Sequence, residues 1–136
     1  MDDAEARALA AAARVGHLAT VRPDGAPHVV PCVFVLHDEH LYTPIDRKPK
    51  RTRALQRLRN IEHEPRVALL ADEYDEEWER LWWVRLDGRA RVLDDGPEHE
   101  RGLALLADKY VQYREDPPDD RVIAIDVERV TGWRYR

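Results

Sequence analysis

The sequence predicts a small, mainly β protein of the α+β class, an antiparallel barrel with helices at its rim. Short runs rich in β-branched and other apolar residues dominate the chain, as is typical of strands. Turn-forming residues separate these runs, and only two or three segments have helical character. Such a pattern favours a closed or nearly closed β-architecture over a layered α/β fold. The chain has 136 residues, so a single domain spanning residues 1–136 is expected.

The N-terminal segment is predicted to be a helix. Asp2 or Asp3 can serve as its N-cap, and alanines spaced along the segment provide a thin apolar face as far as about Arg14. Gly16 suits the position just past the helix end, where a left-handed conformation is common.

Three strands are expected next. His17 to Val21 and Pro27 to Leu36 form a hairpin around Pro23-Asp24-Gly25, a turn in which proline presets φ and glycine accepts positive φ. The segment from His37 to His40 reverses the chain, and Leu41 to Pro44 forms the third strand.

The middle of the chain is predicted to be a helix followed by a strand. Leu55, Leu58 and Ile61 recur every three residues within Lys50 to Ile61. This spacing directs one apolar stripe inward and leaves the arginines outside. Val67 to Ala71 is a continuous apolar strand.

The last part of the chain is predicted to contain three strands and one helix. Gly88 lies inside a long strand, where a bulge or a bend fits best, and Pro97 suits the first turn of a helix. The expected segments are an acidic loop at Asp72 to Glu79, a strand at Leu81 to Leu93, a helix from Pro97 to Tyr110, a loop at Tyr113 to Asp120, and strands at Val122 to Val127 and Thr131 to Tyr135.

Charge is unevenly distributed. Seven of the thirteen residues from Arg47 to Arg59 are basic and none is acidic, whereas the rest of the chain holds 15 basic and 27 acidic residues. A concentrated basic segment on an acidic protein is suited to bind a compact anion, although a solvated helix face is the simpler interpretation. The negative remainder would repel a long phosphate backbone, so no nucleic-acid partner is expected.

Composition narrows the class further. The single cysteine, Cys32, excludes an internal disulfide and a cysteine-based zinc cluster. No segment approaches the ~20 apolar residues of a membrane span, and the acidic N-terminus does not resemble a secretion signal. A cytoplasmic protein without a membrane partner is therefore expected. No metal site is expected either, because the six histidines show no ligand spacing.

The ordered motifs resemble the pyridoxamine 5'-phosphate oxidase-like split barrels along nearly the whole chain. Gly16-His17-Leu18-Ala19-Thr20-Val21 and Asp24 to Pro31 resemble their opening hairpin, and Leu41-Tyr42-Thr43-Pro44 with Asp46 to Arg51 resembles their third strand and phosphate loop. The resemblance continues through Asn60-Ile61, Pro65 to Leu70, Leu81 to Ala90 and Val130-Thr131-Gly132-Trp133-Arg134.

This resemblance implies a six-stranded antiparallel split β-barrel of the FMN-binding type with peripheral helices. It also implies a homodimer with two cofactor sites across the subunit interface. The short length, the Lys-Pro-Lys-Arg loop and the Trp-Trp-Val-Arg strand resemble most closely the actinobacterial branch that depends on coenzyme F420, a deazaflavin. No counterpart of the C-terminal substrate-binding arginine and histidine pattern of the oxidases proper is evident, so vitamin B6 oxidation is not expected.

By family position, the expected cofactor site has a cationic end and an apolar slot. A helix N-terminus would add N–H donors for the phosphate. The phosphate is assigned to Lys50 first and then to Lys48, Arg51 and Thr43. Pro44 is counted among the cofactor-binding residues, and Arg53 and Arg57 are candidates for an acidic cofactor tail. The ring is assigned to Val30, Pro31, Cys32 and His28.

Tryptophans are candidates for the wall of the slot, although core or dimer-interface positions explain large aromatics equally well. Trp82 and Trp83 must face opposite ways on a strand, so only one of them qualifies. Trp83 and Trp133 are taken as the candidates. Hydride transfer needs no protein nucleophile, and no catalytic acid or base is named.

Three functions remain open at this point. The first is an F420-dependent oxidoreductase that transfers a hydride between the reduced deazaflavin and an unsaturated small-molecule substrate. The second is an FMN-binding oxidase or flavin reductase of the same fold. The third is a non-catalytic carrier of haem, another tetrapyrrole or flavin.

Overall fold

The computed structural model of the protein describes residues 1–45, 51–118 and 121–135, with the backbone alone for residues 51–55. Helices flank seven strands in the described part of the chain. The elements are α1 (Asp3–Ala12), β1 (Gly16–Val21), β2 (Pro27–Cys32), β3 (Val35–His37), β4 (His40–Pro44), α2 (Arg51–His63), β5 (Arg66–Glu73), a 3-10 turn (Trp78–Arg80), β6 (Trp82–Leu93), α3 (Pro97–Lys109), α4 (Val111–Glu115) and β7 (Val122–Arg134).

The strands form one antiparallel sheet in the order β2-β1-β5-β6-β7-β4-β3. Its two edge strands are consecutive in sequence, because only Val33 and Phe34 separate β2 from β3. Three peptide steps span at most about 10 Å, so the sheet must curl until its opposite edges meet at this break. The result is a split barrel that is not closed by hydrogen bonds between β2 and β3, and the predicted fold class is confirmed.

The resemblance implied six strands, whereas the described part of the chain has seven. The single strand predicted over Pro27 to Leu36 is divided into β2 and β3. Phe34 lies at the division and is fully buried. Its backbone groups bond to the Tyr110 hydroxyl instead of to a neighbouring strand. Near the C-terminus the opposite difference occurs, since the two predicted strands are one continuous strand, β7, of 13 residues.

The predicted irregularity at Gly88 is confirmed. β6 and β7 pair along their lengths, with a register shift between Asp87 and Gly88. A Cβ on Gly88 would overlap the carbonyl group of Asp126 on the neighbouring strand. Glycine is therefore required here by the close approach of two backbones.

The hairpin turn is also confirmed, and two local predictions are wrong. Gly25 has φ 90° and its N–H donates to the Arg22 carbonyl at 2.8 Å. Gly16, expected past the end of α1, is instead the first residue of β1, where a Cβ would crowd the Leu69 side chain and the Phe34 ring. The loop expected from Tyr113 begins inside helix α4.

Two apolar clusters fill the barrel and its flank. The larger lies inside the curled sheet and is covered by α1 and α2, which contribute Ala6, Ala10, Leu58 and Ile61. The smaller lies between the sheet and α3 and is centred on Tyr42 and Leu106. No helix in the described part of the chain is long and apolar enough to cross a membrane.

Candidate functional site

Strand β2 divides the predicted ring-binding residues between two faces. Val29 and Pro31 point outward and are exposed, whereas His28, Val30 and Cys32 alternate with them and are half-buried. The alternation follows from the period of two along a strand. The predicted ring contacts therefore do not share one face.

On the inner face of β2, Cys32 contacts Thr43 near the end of β4. Thr43 is fully buried, and its hydroxyl donates to the Val33 carbonyl at 2.7 Å. Burial raises the pKa of the Cys32 thiol, although the Thr43 hydroxyl and the Arg57 charge oppose that shift. Pro44, the residue after Thr43 on β4, is buried as well. Thr43 would have to exchange its backbone hydrogen bond in order to contact a phosphate.

Positive charge gathers around His28 at the start of β2. Burial lowers the pKa of this imidazole, and the charges of Arg22 and Arg57 lower it further. The Nδ1 atom of His28 is buried and has no hydrogen-bond partner among the described residues. We call Arg22 and Arg57 the cationic cluster. The two guanidinium groups of this cluster and the buried Nδ1 of His28 occur together at one end of the edge strand β2.

A buried polar contact fixes helix α2 beside this cluster. The Asn60 side chain donates to the Thr20 hydroxyl on β1 at 2.9 Å, and both residues are almost completely buried. Gln56 donates to the Asn60 side-chain oxygen at 2.7 Å, which completes a short polar chain. Because a buried amide needs such partners, this contact sets the position of α2 and of the arginines that it carries.

Several predicted phosphate ligands are not described. Lys48 and Lys50 lie outside the described residues. Arg51 and Arg53 lie in the first turn of α2, which has no acidic residue, and their side chains are among those not described. Their assignment stays a prediction.

The surface of the sheet that faces away from the barrel interior carries an open recess of about 550 Å³. We call this surface the outer face. The recess lies over β2, β1, β5 and β6, and it is lined by His17, Ala19, Val29, Ala68, Leu70, Asp72, Trp83 and Arg85. Ala19 and Ala68 are direct partners across β1 and β5. The recess exists because these two small side chains lie between larger neighbours.

The tryptophans are arranged as strand alternation requires. Trp82 is buried with 8% of its surface exposed, whereas Trp83 lines the recess on the outer face. Trp133 is the direct partner of Trp83 on β7 and is 44% exposed. The prediction that Trp82 and Trp83 face opposite ways is confirmed.

Polar groups border the recess. His17 and Arg85 lie in one row across the sheet, on either side of Leu70. The Arg85 Nε donates to Asp87 at 3.2 Å. The imidazole of His17 and the carboxylate of Asp72 have no hydrogen-bond partner in the described part of the chain. The recess therefore offers an apolar floor with both donors and an acceptor at its edge.

Most residues that line the recess are not among those predicted from the sequence. Among the recess residues, only Trp83 was predicted as part of the site. The signal that could have located the recess is the type of residue at the outward positions of β1 and β5. A strand with one face in solvent normally carries polar residues on that face. Ala19, Ala68 and Leu70 break that rule together.

The curled sheet with adjoining edges defines the class of protein as a split barrel. The sequence profile of the pyridoxamine 5'-phosphate oxidase family matches residues 2–134, and the chain belongs to this family. No curated protein sequence matches the chain significantly.

Solved structures of the same fold come from several bacteria. The conserved hypothetical protein Rv2991 from Mycobacterium tuberculosis has a TM-score of 0.80 and 22% identity, covering 100% of this chain and 86% of its own. An FAD-binding protein from Mesorhizobium loti has a TM-score of 0.70 and 26% identity, with coverage of 97% and 94%. A haem-binding protein from Mycobacterium smegmatis has a TM-score of 0.75 and 24% identity, covering 95% of this chain but 52% of its own length.

Proposed function

We propose that this chain forms a homodimeric oxidoreductase that binds coenzyme F420 and transfers a hydride between the reduced deazaflavin and an unsaturated organic substrate. The observation that carries this proposal is the recess on the outer face, in a chain whose family includes flavin-binding oxidoreductases. The FAD-binding protein from Mesorhizobium loti, 26% identical, supports a flavin-type ligand.

The recess suits a flat ring system. A volume of about 550 Å³ lies within the range of small-molecule sites, and such sites are mainly apolar with a few polar groups at fixed positions. Trp83 provides a surface for stacking, while Ala19 and Ala68 provide a floor without protruding side chains. His17 and Arg85 would donate hydrogen bonds to ring oxygens.

The cationic residues suit a phosphate and an acidic tail. The charges of Arg22 and Arg57 lower the pKa of the His28 imidazole, whose buried Nδ1 accepts or donates a hydrogen bond according to its tautomer. Lys50, Lys48 and Arg51 are the first candidates for the phosphate. A charge-assisted hydrogen bond contributes roughly 1.5–3 kcal/mol, so three supply much of the about −8 kcal/mol of a micromolar complex. Arg53 and Arg57 would meet the glutamates of the deazaflavin, which FMN lacks.

A second copy of the chain is expected to cover the outer face. Val29 is 61% exposed, Leu70 38% and Trp133 44%. Contiguous apolar surface of this kind on a protein marks an interaction site. A homodimer with the two recesses near its axis would bury these side chains and exclude water from the bound ring.

The cofactor supplies the redox chemistry, because the reduced deazaflavin ring carries the hydride that is transferred. The described residues bind the ring, orient it against the substrate and exclude water from it. No residue is assigned as a catalytic acid or base.

Titration of the purified protein with F420, FMN and haem in parallel tests this proposal. We expect quenching of tryptophan fluorescence by F420 at micromolar concentration and much weaker quenching by FMN. Binding of FMN alone, with yellow colour in the purified protein, would favour an FMN oxidase or flavin reductase. Absence of binding by all three compounds would refute the proposal.

Filling the recess tests where the ring lies. Ala68→Leu should abolish F420 binding, because its added methyl groups occupy the hollow beside Ala19. Ala104→Leu introduces the same change at an exposed position of α3 and should bind F420 normally. Equal affinity of the two variants would exclude the recess as the ring site.

Removing one cation tests the phosphate assignment. Lys50→Ala should weaken F420 binding about tenfold or more, since one charge-assisted hydrogen bond is lost. The exposed Arg129, which has no ion pair in the described part of the chain, provides the control Arg129→Ala. Unchanged affinity in Lys50→Ala would show that the phosphate binds elsewhere.

A haem or tetrapyrrole carrier is the second candidate. His17 presents an imidazole at the edge of the recess, and histidine is a common haem ligand. The haem-binding protein from Mycobacterium smegmatis shares the fold. A Soret band that shifts in His17→Ala but not in the exposed control His63→Ala would favour this candidate over the oxidoreductase.

A further inference from the structure

The half-buried Lys109 side chain lies against the break between β2 and β3. We call this break, formed by Val33 and Phe34, the seam. The Lys109 Nζ donates to the Phe34 carbonyl at 2.8 Å and lies 4.2 Å from the centroid of the Phe34 ring and 5.2 Å from that of Tyr110. Within the described part of the chain, no carboxylate forms an ion pair with this amine. Its positive charge is therefore supported by a carbonyl dipole and two aromatic rings alone.

A second cation lies beside this amine. The Arg14 guanidinium group lies 4.8 Å from the centroid of the Tyr110 ring, and its Nη2 donates to the Lys109 backbone carbonyl at 3.0 Å. Arg14 is exposed and forms no ion pair among the described residues. Burial lowers the pKa of Lys109 to about 8, and the Arg14 charge adds to this shift. At pH 7.4 roughly one fifth of such amines are neutral, against roughly 0.1% for an ordinary lysine.

The other titratable groups around this amine supply no compensating negative charge. The Tyr110 hydroxyl lies 2.9 and 3.0 Å from the Phe34 and Arg14 carbonyl oxygens. Burial raises the pKa of Tyr110 and the pKa of the Cys32 thiol, so both groups are uncharged at neutral pH. Asp108, the preceding residue in the chain, is exposed to solvent. These surroundings favour the neutral, nucleophilic form of the amine.

We propose that Lys109 is an acylation site that reacts with small acyl phosphates. The Nζ lone pair attacks the carbonyl carbon, and the bond from that carbon to the phosphate oxygen breaks. The departing phosphate takes the electron pair of that bond and the proton that the nitrogen loses, which leaves an amide. The charge of Arg14 attracts an anionic reagent and favours it over an uncharged acyl donor. Neither the recess nor the cofactor takes part in this step, so its failure would leave the proposed function intact.

Acylation of Lys109 is expected to loosen the seam. The amide product is uncharged, so the contacts of the ammonium group with the Phe34 and Tyr110 rings are lost. The attached acyl group must also find room beside the Phe34 carbonyl. Hydrogen exchange of the Phe34 amide should become about tenfold faster, whereas the amide of Leu86, buried in β6, should exchange as before. Modification would thus act on the end of β2, the strand to which the cofactor ring is assigned.

An introduced lysine on the same helix provides the comparison for reactivity. Ala104 is exposed on α3. In the full-length Ala104→Lys variant at pH 7.4, peptide mass spectrometry should show acetyl phosphate modifying Lys109 about tenfold faster than position 104. The excess of neutral amine is larger than this, but a less basic nitrogen is also a weaker nucleophile. The rate at Lys109 should be half-maximal near pH 8. Unfolding in urea should abolish the difference, and equal rates in the folded protein would overturn the proposal.

Two variants test the reagent and the effect on the seam. Arg14→Gln should slow modification by acetyl phosphate more than modification by N-acetoxysuccinimide, an uncharged acyl donor. Lys109→Arg keeps the cation, so treatment with acetyl phosphate should leave its Phe34 exchange unchanged. Equal slowing with both reagents would overturn the selection of an acyl phosphate. Acylated wild-type protein with unaltered Phe34 exchange would overturn the effect on the seam.

Discussion

The Tyr110 hydroxyl lies 3.1 Å from the amide nitrogen and 2.9 Å from the carbonyl oxygen of Phe34, so one side chain satisfies both backbone groups at the break between β2 and β3. The Lys109 ammonium group donates to the same carbonyl at 2.8 Å and lies 4.2 Å from the centroid of the Phe34 ring. The seam of the barrel is thus held by two consecutive residues at the end of α3.

Tyr110→Phe is expected to destabilise the fold. The substitution leaves the buried Phe34 amide without an acceptor, which costs about 1–3 kcal/mol. Chemical denaturation measures the change in the free energy of unfolding. Tyr74→Phe, at a residue that is 68% exposed, should change it by less than about 0.5 kcal/mol. Equal stability of the two variants would show that the seam does not depend on this hydroxyl.

The Asn60–Thr20 contact is expected to support both stability and cofactor binding. Asn60→Ala leaves the buried Thr20 hydroxyl without its donor, at a cost of about 1–3 kcal/mol. F420 affinity should fall as well, because α2 carries the arginines. Thr20→Val with Asn60→Leu removes both polar partners and should recover most of the stability. A double variant no more stable than Asn60→Ala would contradict this explanation.

Gly88→Ala is expected to be among the most destabilising single substitutions. The new Cβ would overlap the Asp126 carbonyl on β7, and backbone on both strands would have to move. We expect a loss of about 3 kcal/mol, at the upper end of the usual range for overpacking. Gly25→Ala, in an open turn with φ 90°, should lose only about 1 kcal/mol. Thermal and chemical unfolding of the two variants compare them directly.

Acid should weaken the fold through a network around Arg91. Its guanidinium group binds Glu98 at 2.9 and 3.0 Å and Asp126 at 2.8 Å. These hydrogen bonds lower the pKa of Glu98 to about 2 and lower the pKa of Asp126. Because the folded values are depressed, the stabilisation is present above the unfolded pKa of Glu98, 4.5, and is lost as pH falls toward about 2.

Arg91→Met should flatten this acid dependence. The network is partly exposed, so its loss at neutral pH should cost no more than about 1 kcal/mol. Unfolding free energies measured from pH 7 to pH 2.5 should converge for the wild type and Arg91→Met at the acidic end. The exposed control Arg129→Met should retain the wild-type profile. Parallel profiles of the wild type and Arg91→Met would refute the role of the network.

Part of the site could be predicted from the sequence because it is local. Strand alternation separated Trp82 from Trp83, and glycine chemistry located the turn at Gly25 and the irregularity at Gly88. Family motifs pointed to β2 and to the basic segment after β4. The resemblance assigned both Pro31 and Cys32 to the cofactor ring. Strand alternation already implied that their side chains face opposite ways, and they do so in the structure.

The sequence by itself determined the family, the order of most elements and the uneven charge, since each depends on residues close together in the chain. Tertiary structure alone decided the recess, because its floor pairs Ala19 with Ala68 from distant parts of the sequence. It also decided the seam, where Tyr110 reaches Phe34 across 76 positions. Periodicity shows which way a side chain faces along its own strand. Only the register between strands determines which side chains it meets.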